Sequence, residues 1–138
     1  MESTTLRRNI FQRMLGICAT NQPSDEGCWT FKDGKIIIDL ARAAELARLN
    51  GAIRLEAKDL PERVLVTQGE DGQYHAFQNR CTHGKRRLDP MPGAQQLQCC
   101  SIGKSIFDYK GKHVSGPAKG DIQTYPVTVD NDKLVITL

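Results

Sequence analysis

The spacing of apolar positions changes along the chain from helical to alternating. Leu6, Ile10, Phe11, Met14, Leu15 and Cys18 recur at helical spacing, with Arg7, Arg8, Gln12 and Arg13 on the other face. That stripe predicts an amphipathic helix, and residues 1–30 read as a helical extension ahead of the main domain. Its apolar face packs on its own domain or serves as a docking surface for a partner or a second copy. Asn21 to Gly27 is loop chemistry that closes the helix. Cys28-Trp29 follows alone, and an isolated cysteine of this kind reads as a small core residue.

From Gly34 the period shortens. Lys35-Ile36-Ile37-Ile38 is a β-branched run, after which Asp39 is placed to cap a short helix from Leu40 to Asn50, with Gly51 in the stop position. Strand-like segments follow at Ala52 to Glu56, Arg63 to Thr67 and Tyr74 to Gln78, the last two joined by the hairpin signal Gly69-Glu70-Asp71-Gly72. Further strands are predicted at Ser105 to Tyr109, Thr124 to Val129 and Leu134 to Leu138, with turns at Lys110-Gly111 and Asp130-Asn131-Asp132. Short strands at this spacing predict a mostly β fold over residues 31–138, an antiparallel sandwich or small barrel carrying one inserted short helix.

Composition narrows the picture modestly. A chain of 138 residues that is 39% hydrophobic and 25% charged can bury one core unaided. A net charge of +3 is too mild to argue for nucleic acid, and no apolar run is long enough to span a membrane. Arg7-Arg8 and Leu15-Gly16-Ile17-Cys18 touch on export signals, but Gln12 and Arg13 interrupt the apolar run and Ile17 is too large before a processed cysteine. The expectation is an unexported, cytoplasmic chain. Five cysteines, two of them adjacent, favour metal or redox chemistry over a disulfide framework.

The candidate chemistry lies between Cys81 and Lys104. Cys81-x-His83 is separated by residues 84–99 from Cys100, which Cys99 precedes directly. Thiolate and imidazole brought together across such a gap suit iron or zinc. The stretch lacks the paired C-x-x-C knuckles of a structural zinc site. Lys85, Arg86, Arg87 and Lys104 crowd the same stretch, with Lys110 and Lys112 further along. His75 alternates within a strand and reads as an ordinary half-buried residue. Gly103-Lys104-Ser105 imitates the end of a phosphate-binding loop, but Gln98 stands where that loop needs glycine.

Asn79-x-Cys81-x-His83-x4-Leu88, then Cys100-x6-Phe107-Asp108-x2-Gly111, Ser115-Gly116-Pro117-Ala118 and Tyr125-Pro126-Val127 together resemble a Rieske domain over roughly residues 31–138. The resemblance implies an antiparallel β fold with a cluster-binding loop subdomain. There, two cysteines hold one iron of a 2Fe–2S cluster and two histidines hold the other. It places Cys81, Cys100 and His83 as ligands, Ser105 as a donor to a cluster sulfide, Phe107 where tyrosine is frequent, and Ser115 to Ala118 as the covering loop. Gly103 occupies the second histidine's position, and Lys85 and Lys104 each replace a glycine. Counting from Cys99 instead puts Ile102 there.

Cys99 is the nearest candidate for the fourth donor and His113 a more distant one. A third thiolate would lower the reduction potential from the Rieske range, about −150 to +300 mV, towards about −400 mV. The expected function is a small Rieske-type electron-transfer protein, ferredoxin-like or a small subunit of an oxidoreductase, working with a redox partner protein. The alternatives are a Rieske fold that has lost its cluster and binds through its basic tip, and a zinc or thiol-redox site.

Overall fold

A computed structural model describes residues 18–82, 84–91, 93–101 and 103–138. The amphipathic helix expected before Cys18 and the proposed ligand His83 lie outside the described residues. Among the described residues the strands are β1 (Trp29–Lys32), β2 (Lys35–Asp39), β3 (Ala52–Leu55), β4 (Val64–Gln68), β5 (Tyr74–Gln78), β6 (Leu88–Met91), β7 (Gln96–Cys99), β8 (Ile106–Asp108), β9 (His113–Ser115), β10 (Thr124–Tyr125), β11 (Val127–Asp130) and β12 (Lys133–Thr137). They form three antiparallel sheets, ordered β1-β2-β12-β11, β10-β5-β4-β3 and β6-β7-β8-β9. No helix among these residues is long and apolar enough to cross a membrane.

Alternation builds the first core. Ile36 and Ile38 on β2 pair with Ile136 and Leu134 on β12, and all four are fully buried, while Ile37 between them faces outward. Cys28, Leu46, Ile53, Leu55, Val64 and Val66 pack on them, so Cys28 is the core residue its isolation implied. The second core gathers Leu65, Phe77, Leu88, Leu97 and Phe107. The middle sheet serves both cores, because β4 sends Val64 and Val66 to one and Leu65 to the other. Successive side chains of a strand alternate between faces, which makes β4 the shared wall.

The helix expected from Leu40 to Asn50 does not form; a single 3-10 turn at Ala44–Ala47 stands there. The Asp39 carboxylate accepts from Ala41 N at 3.1 Å, and its carbonyl accepts from both Arg42 N and Ala43 N. These bonds hold the chain in a local turn that competes with helix growth. Ala43 and Leu46 then reach the first core as one turn, whereas Leu49 is left exposed. Two buried anchors three residues apart need only that turn, and a short helix has little to repay its nucleation.

Beyond the expected strands the fold adds β1, β6, β7 and β9. All four residues of β6 are buried, including Asp89 and Pro90, so no alternation marks it. Asp89 is 1% exposed and accepts from Ala19 N at 2.7 Å and Thr20 N at 2.8 Å. The Arg54 side chain donates to Thr20 O at 3.0 Å. A buried carboxylate thus fixes the segment at residues 18–21 against the third sheet.

Candidate metal centre

The two loops that carry the cysteines are each closed by their own backbone. In the first, Cys81 N donates to Arg86 O at 2.8 Å and Lys85 N to Cys81 O at 3.0 Å. Asn79, fully buried, locks the loop's ends: its N donates to Arg63 O, and its Oδ1 accepts from Leu88 N at 2.7 Å. In the second, Cys99 N donates to Ser105 O at 2.8 Å and Lys104 N to Ser101 O at 3.3 Å. Pairing of Leu88 with Cys99 in the β6–β7 ladder sets the loops side by side, and Cys100 N donates to Arg87 O at 3.1 Å across them.

A third segment covers this pair. The buried Ser105 hydroxyl accepts from Ala118 N at 3.0 Å. A Cβ added at Gly116 would stand 2.6 Å from Ser105 Cα, so the cover approaches as closely as glycine allows. Thr82 Oγ1 donates to Gly120 O at 2.8 Å, tying the cover to the first loop. An open cleft of about 670 Å³ lies beside Cys81, lined by Gln78, Arg80, Thr82, Gly84 and Lys85.

The thiols divide between two environments. Cys81 and Cys99, both fully buried, share the second core. Cys99 Sγ lies 3.1 Å from Ser101 Oγ. Cys100, 2% exposed, donates its Sγ hydrogen to Arg87 O at 2.9 Å. Its thiol is pushed up to about 12, first by burial and then by Asp89, Cys18 and Cys99. Adjacent residues at a strand end point to opposite faces, which places Cys99 with Cys81 and turns Cys100 towards Asp89 and Cys18.

Arg87 is itself held by Glu56, donating from Nε at 2.6 Å and from its terminal nitrogen at 2.9 Å. Arg54 approaches the same carboxylate at 3.0 Å. Glu56 is held below the ordinary carboxylate range, chiefly by the Arg87 hydrogen bonds. Neither Asn79, Asp89 nor Glu56 was picked out as a site residue from the sequence. Asp89 had a signal, a carboxylate inside an otherwise apolar Leu-x-Pro-Met run.

The other residues named from sequence fall as follows. His75 sits half-buried on β5, 3.1 Å from Asp71. His113 Nε2 lies 2.8 Å from Ser115 O and 3.0 Å from Gly116 O, so its ring supports the covering loop. Lys110 and Lys112 stand at the turn closing the far end of β8, where Lys112 pairs with Asp121 at 3.4 Å. Gly103 is exposed, and a Cβ there would meet Pro117 Cγ at 2.6 Å, so the covering proline fills the room beside it. Among the described residues no three of His, Cys, Asp and Glu converge as a metal-binding group.

Fold and site together define an antiparallel β protein that presents two thiol-bearing loops beneath a proline-containing cover. Residues 37–126 match the model of the Rieske [2Fe-2S] domain. The ferredoxin component of the naphthalene 1,2-dioxygenase system of Pseudomonas putida is 33% identical over 70 residues, 49% of this chain and 66% of that protein. The Rieske iron–sulfur subunit of the cytochrome bc1 complex of Corynebacterium efficiens is 32% identical over 90 residues, 61% of this chain and 22% of that protein. In fold, the ferredoxin of carbazole 1,9a-dioxygenase from Nocardioides aromaticivorans superposes with a TM-score of 0.56 at 17% identity, over 65% of this chain and 86% of that one. The chain therefore belongs to the Rieske [2Fe-2S] domain family, and it spans just under two thirds of the ferredoxin components it matches.

Membership implies a 2Fe–2S cluster as cofactor. Cysteine is the donor that one half of such a cluster takes; Cys81 and Cys100 are buried on neighbouring loops, with the Cys81 side chain in the second core and the Cys100 thiol turned to the Arg87 carbonyl. The resemblance assigns the second imidazole to the position that Gly103 holds, where a Cβ would meet the Pro117 ring, so the residues present do not match the two-imidazole half.

Proposed function

We propose that this chain is a small Rieske-type electron-transfer protein, ferredoxin-like or a small subunit of an oxidoreductase. Its 2Fe–2S cluster would be held by Cys81, Cys100 and His83, with a fourth donor other than histidine and Cys99 the nearest thiol to supply it. One observation carries the reading: Cys81 and Cys100 are both buried at the heads of two loops that the β6–β7 ladder joins. The cluster supplies one-electron exchange. The chain's own residues set its surroundings: Glu56 and Arg87 hold the Cys100 backbone, Ser105 fixes the cover, and the segment from Ser115 to Ala118 excludes water. Residues 31–138 form the Rieske-like domain and residues 1–30 an extension ahead of it. The redox partner is a separate protein, and the setting is cytoplasmic.

The second reading, a fold that has outlived its cluster and binds through its tip, is favoured by the packing of Pro117 on Gly103. Iron and acid-labile sulfide measured per chain on anaerobically purified protein, with an EPR spectrum after reduction, separate the two. The electron-transfer reading expects two irons, two sulfides and a signal that Cys81→Ser abolishes together with the visible colour. Folded wild-type protein without iron refutes it.

A further inference from the structure

Both thiol loops place a lysine four residues after their cysteine, Lys85 after Cys81 and Lys104 after Cys100. Each lysine has a left-handed backbone, with φ of 59° and 53°. That conformation is strained for any residue with a Cβ and free for glycine. Two exposed lysines kept in strained backbone at matched positions call for a compensating use. The cover adds a third exposed lysine, Lys119, next to Gly120, which Thr82 binds.

Their charges are not cancelled locally. Residues 80–88, 99–107 and 114–120 contain no carboxylate. The nearby acids are already matched: Glu62 with Arg80 at 3.0 Å, Glu56 with Arg87 at 2.6 Å, and Asp121 with Lys112 at 3.4 Å. Among the described residues no ion pair involves Lys85, Lys104 or Lys119. Pro117 is exposed in the covering segment and packs beside Gly103, the neighbour of Lys104, which supplies a small apolar centre next to these charges. Among the described residues the tip offers no exposed phenylalanine, tyrosine or tryptophan ring on which a nucleic-acid base could stack, since Phe107 is fully buried. A small apolar centre rimmed by charge is the anatomy of a protein interface.

We propose that this three-loop tip docks on an acidic protein surface, with Lys85 and Lys104 as its main contacts and Lys119 on the rim. The docked protein is the redox partner if the electron-transfer reading holds; the complementarity itself does not depend on the cluster. Charge of this kind steers encounter and is screened by salt.

The test titrates the purified chain, with its iron content measured, against a short oligoglutamate peptide, a single-stranded oligonucleotide of equal charge and phosphatidylglycerol vesicles. The peptide should bind in about 0.01 M salt and weaken at least tenfold by about 0.3 M. Lys85→Gly with Lys104→Gly should weaken peptide binding at least fivefold and raise Tm by roughly 3 °C per substitution as backbone strain is relieved. Lys85→Gln with Lys104→Gln should lose the same binding without that gain in Tm. Unchanged peptide affinity in either pair, or oligonucleotide or vesicle binding as tight as the peptide's, overturns the proposal. A Cys81→Ser protein that has lost its iron should still bind the peptide. A wild type that lacks iron yet binds fails the electron-transfer reading alone, and one with iron that does not bind fails the docking proposal alone.

Discussion

Replacing Glu56 by glutamine probes the support behind the second thiol loop. The carboxylate, whose side chain is 17% exposed, takes two hydrogen bonds from Arg87 and lies 3.0 Å from Arg54. Hydrogen bonds to charged groups contribute about 1.5–3 kcal/mol when shielded, whereas exposed ion pairs contribute about 0.2–1 kcal/mol. Arg87 is 34% exposed, so the value is discounted for solvent to about 1.5 kcal/mol. An unfolding entropy of about 2.1 cal/mol/K per residue over 138 residues gives about 0.29 kcal/mol/K, so Tm should fall roughly 5 °C at neutral pH. Because the folded pKa of Glu56 is depressed, its contribution is fully present above the ordinary glutamate value of about 4.3 and is lost as pH falls through the folded value. The gap between wild type and Glu56→Gln should therefore close on acidification. Thermal unfolding across this pH range checks it, and a variant as stable as wild type at neutral pH, or a gap that does not narrow as pH falls below about 4.3, refutes the reasoning.

Two further substitutions test the cover. Ser105→Ala leaves the Ala118 amide without its 3.0 Å acceptor, so stability should drop by about 1–2 kcal/mol and exchange of that amide should quicken; unchanged exchange would show that the covering loop is held by something else. Gly103→His puts a Cβ 2.6 Å from Pro117 Cγ and should cost about 1–3 kcal/mol of stability in thermal unfolding. In iron-loaded protein, voltammetry of the same variant should find a potential raised towards about −150 to +300 mV, and an unmoved potential would mean that the fourth donor does not sit at this loop.

The strands that the sequence disclosed are alternating or β-branched runs, including β4, whose Val64-Leu65-Val66 run is buried on both faces. The expected Tyr74 to Gln78 is β5 itself, and the alternation of Ile36 and Ile38 about Ile37 marks β2. β6 was hidden because both its faces are covered, which erases the period of two, and Asp89 and Pro90 break the apolar run that would otherwise mark a doubly buried strand. The expected helix at Leu40 to Asn50 failed for a related reason: local propensity favoured it, but the Asp39 turn and the burial of Ala43 and Leu46 demanded only one turn.

By itself, the sequence determined that this is a mostly β chain of Rieske type with its cysteines Cys81 and Cys99-Cys100 in two separated stretches, because residue type and spacing are local properties that survive without the fold. Only the tertiary structure decided what surrounds those stretches. It placed Cys99 in the core with Cys81 and turned Cys100 to the Arg87 carbonyl. It set Pro117 against Gly103, recruited Asp89 to hold Ala19 and Thr20, and left Lys85 and Lys104 exposed in left-handed turns. Each of these depends on strand register, loop closure and burial between segments far apart in the chain, and no local pattern of residues encodes such contacts.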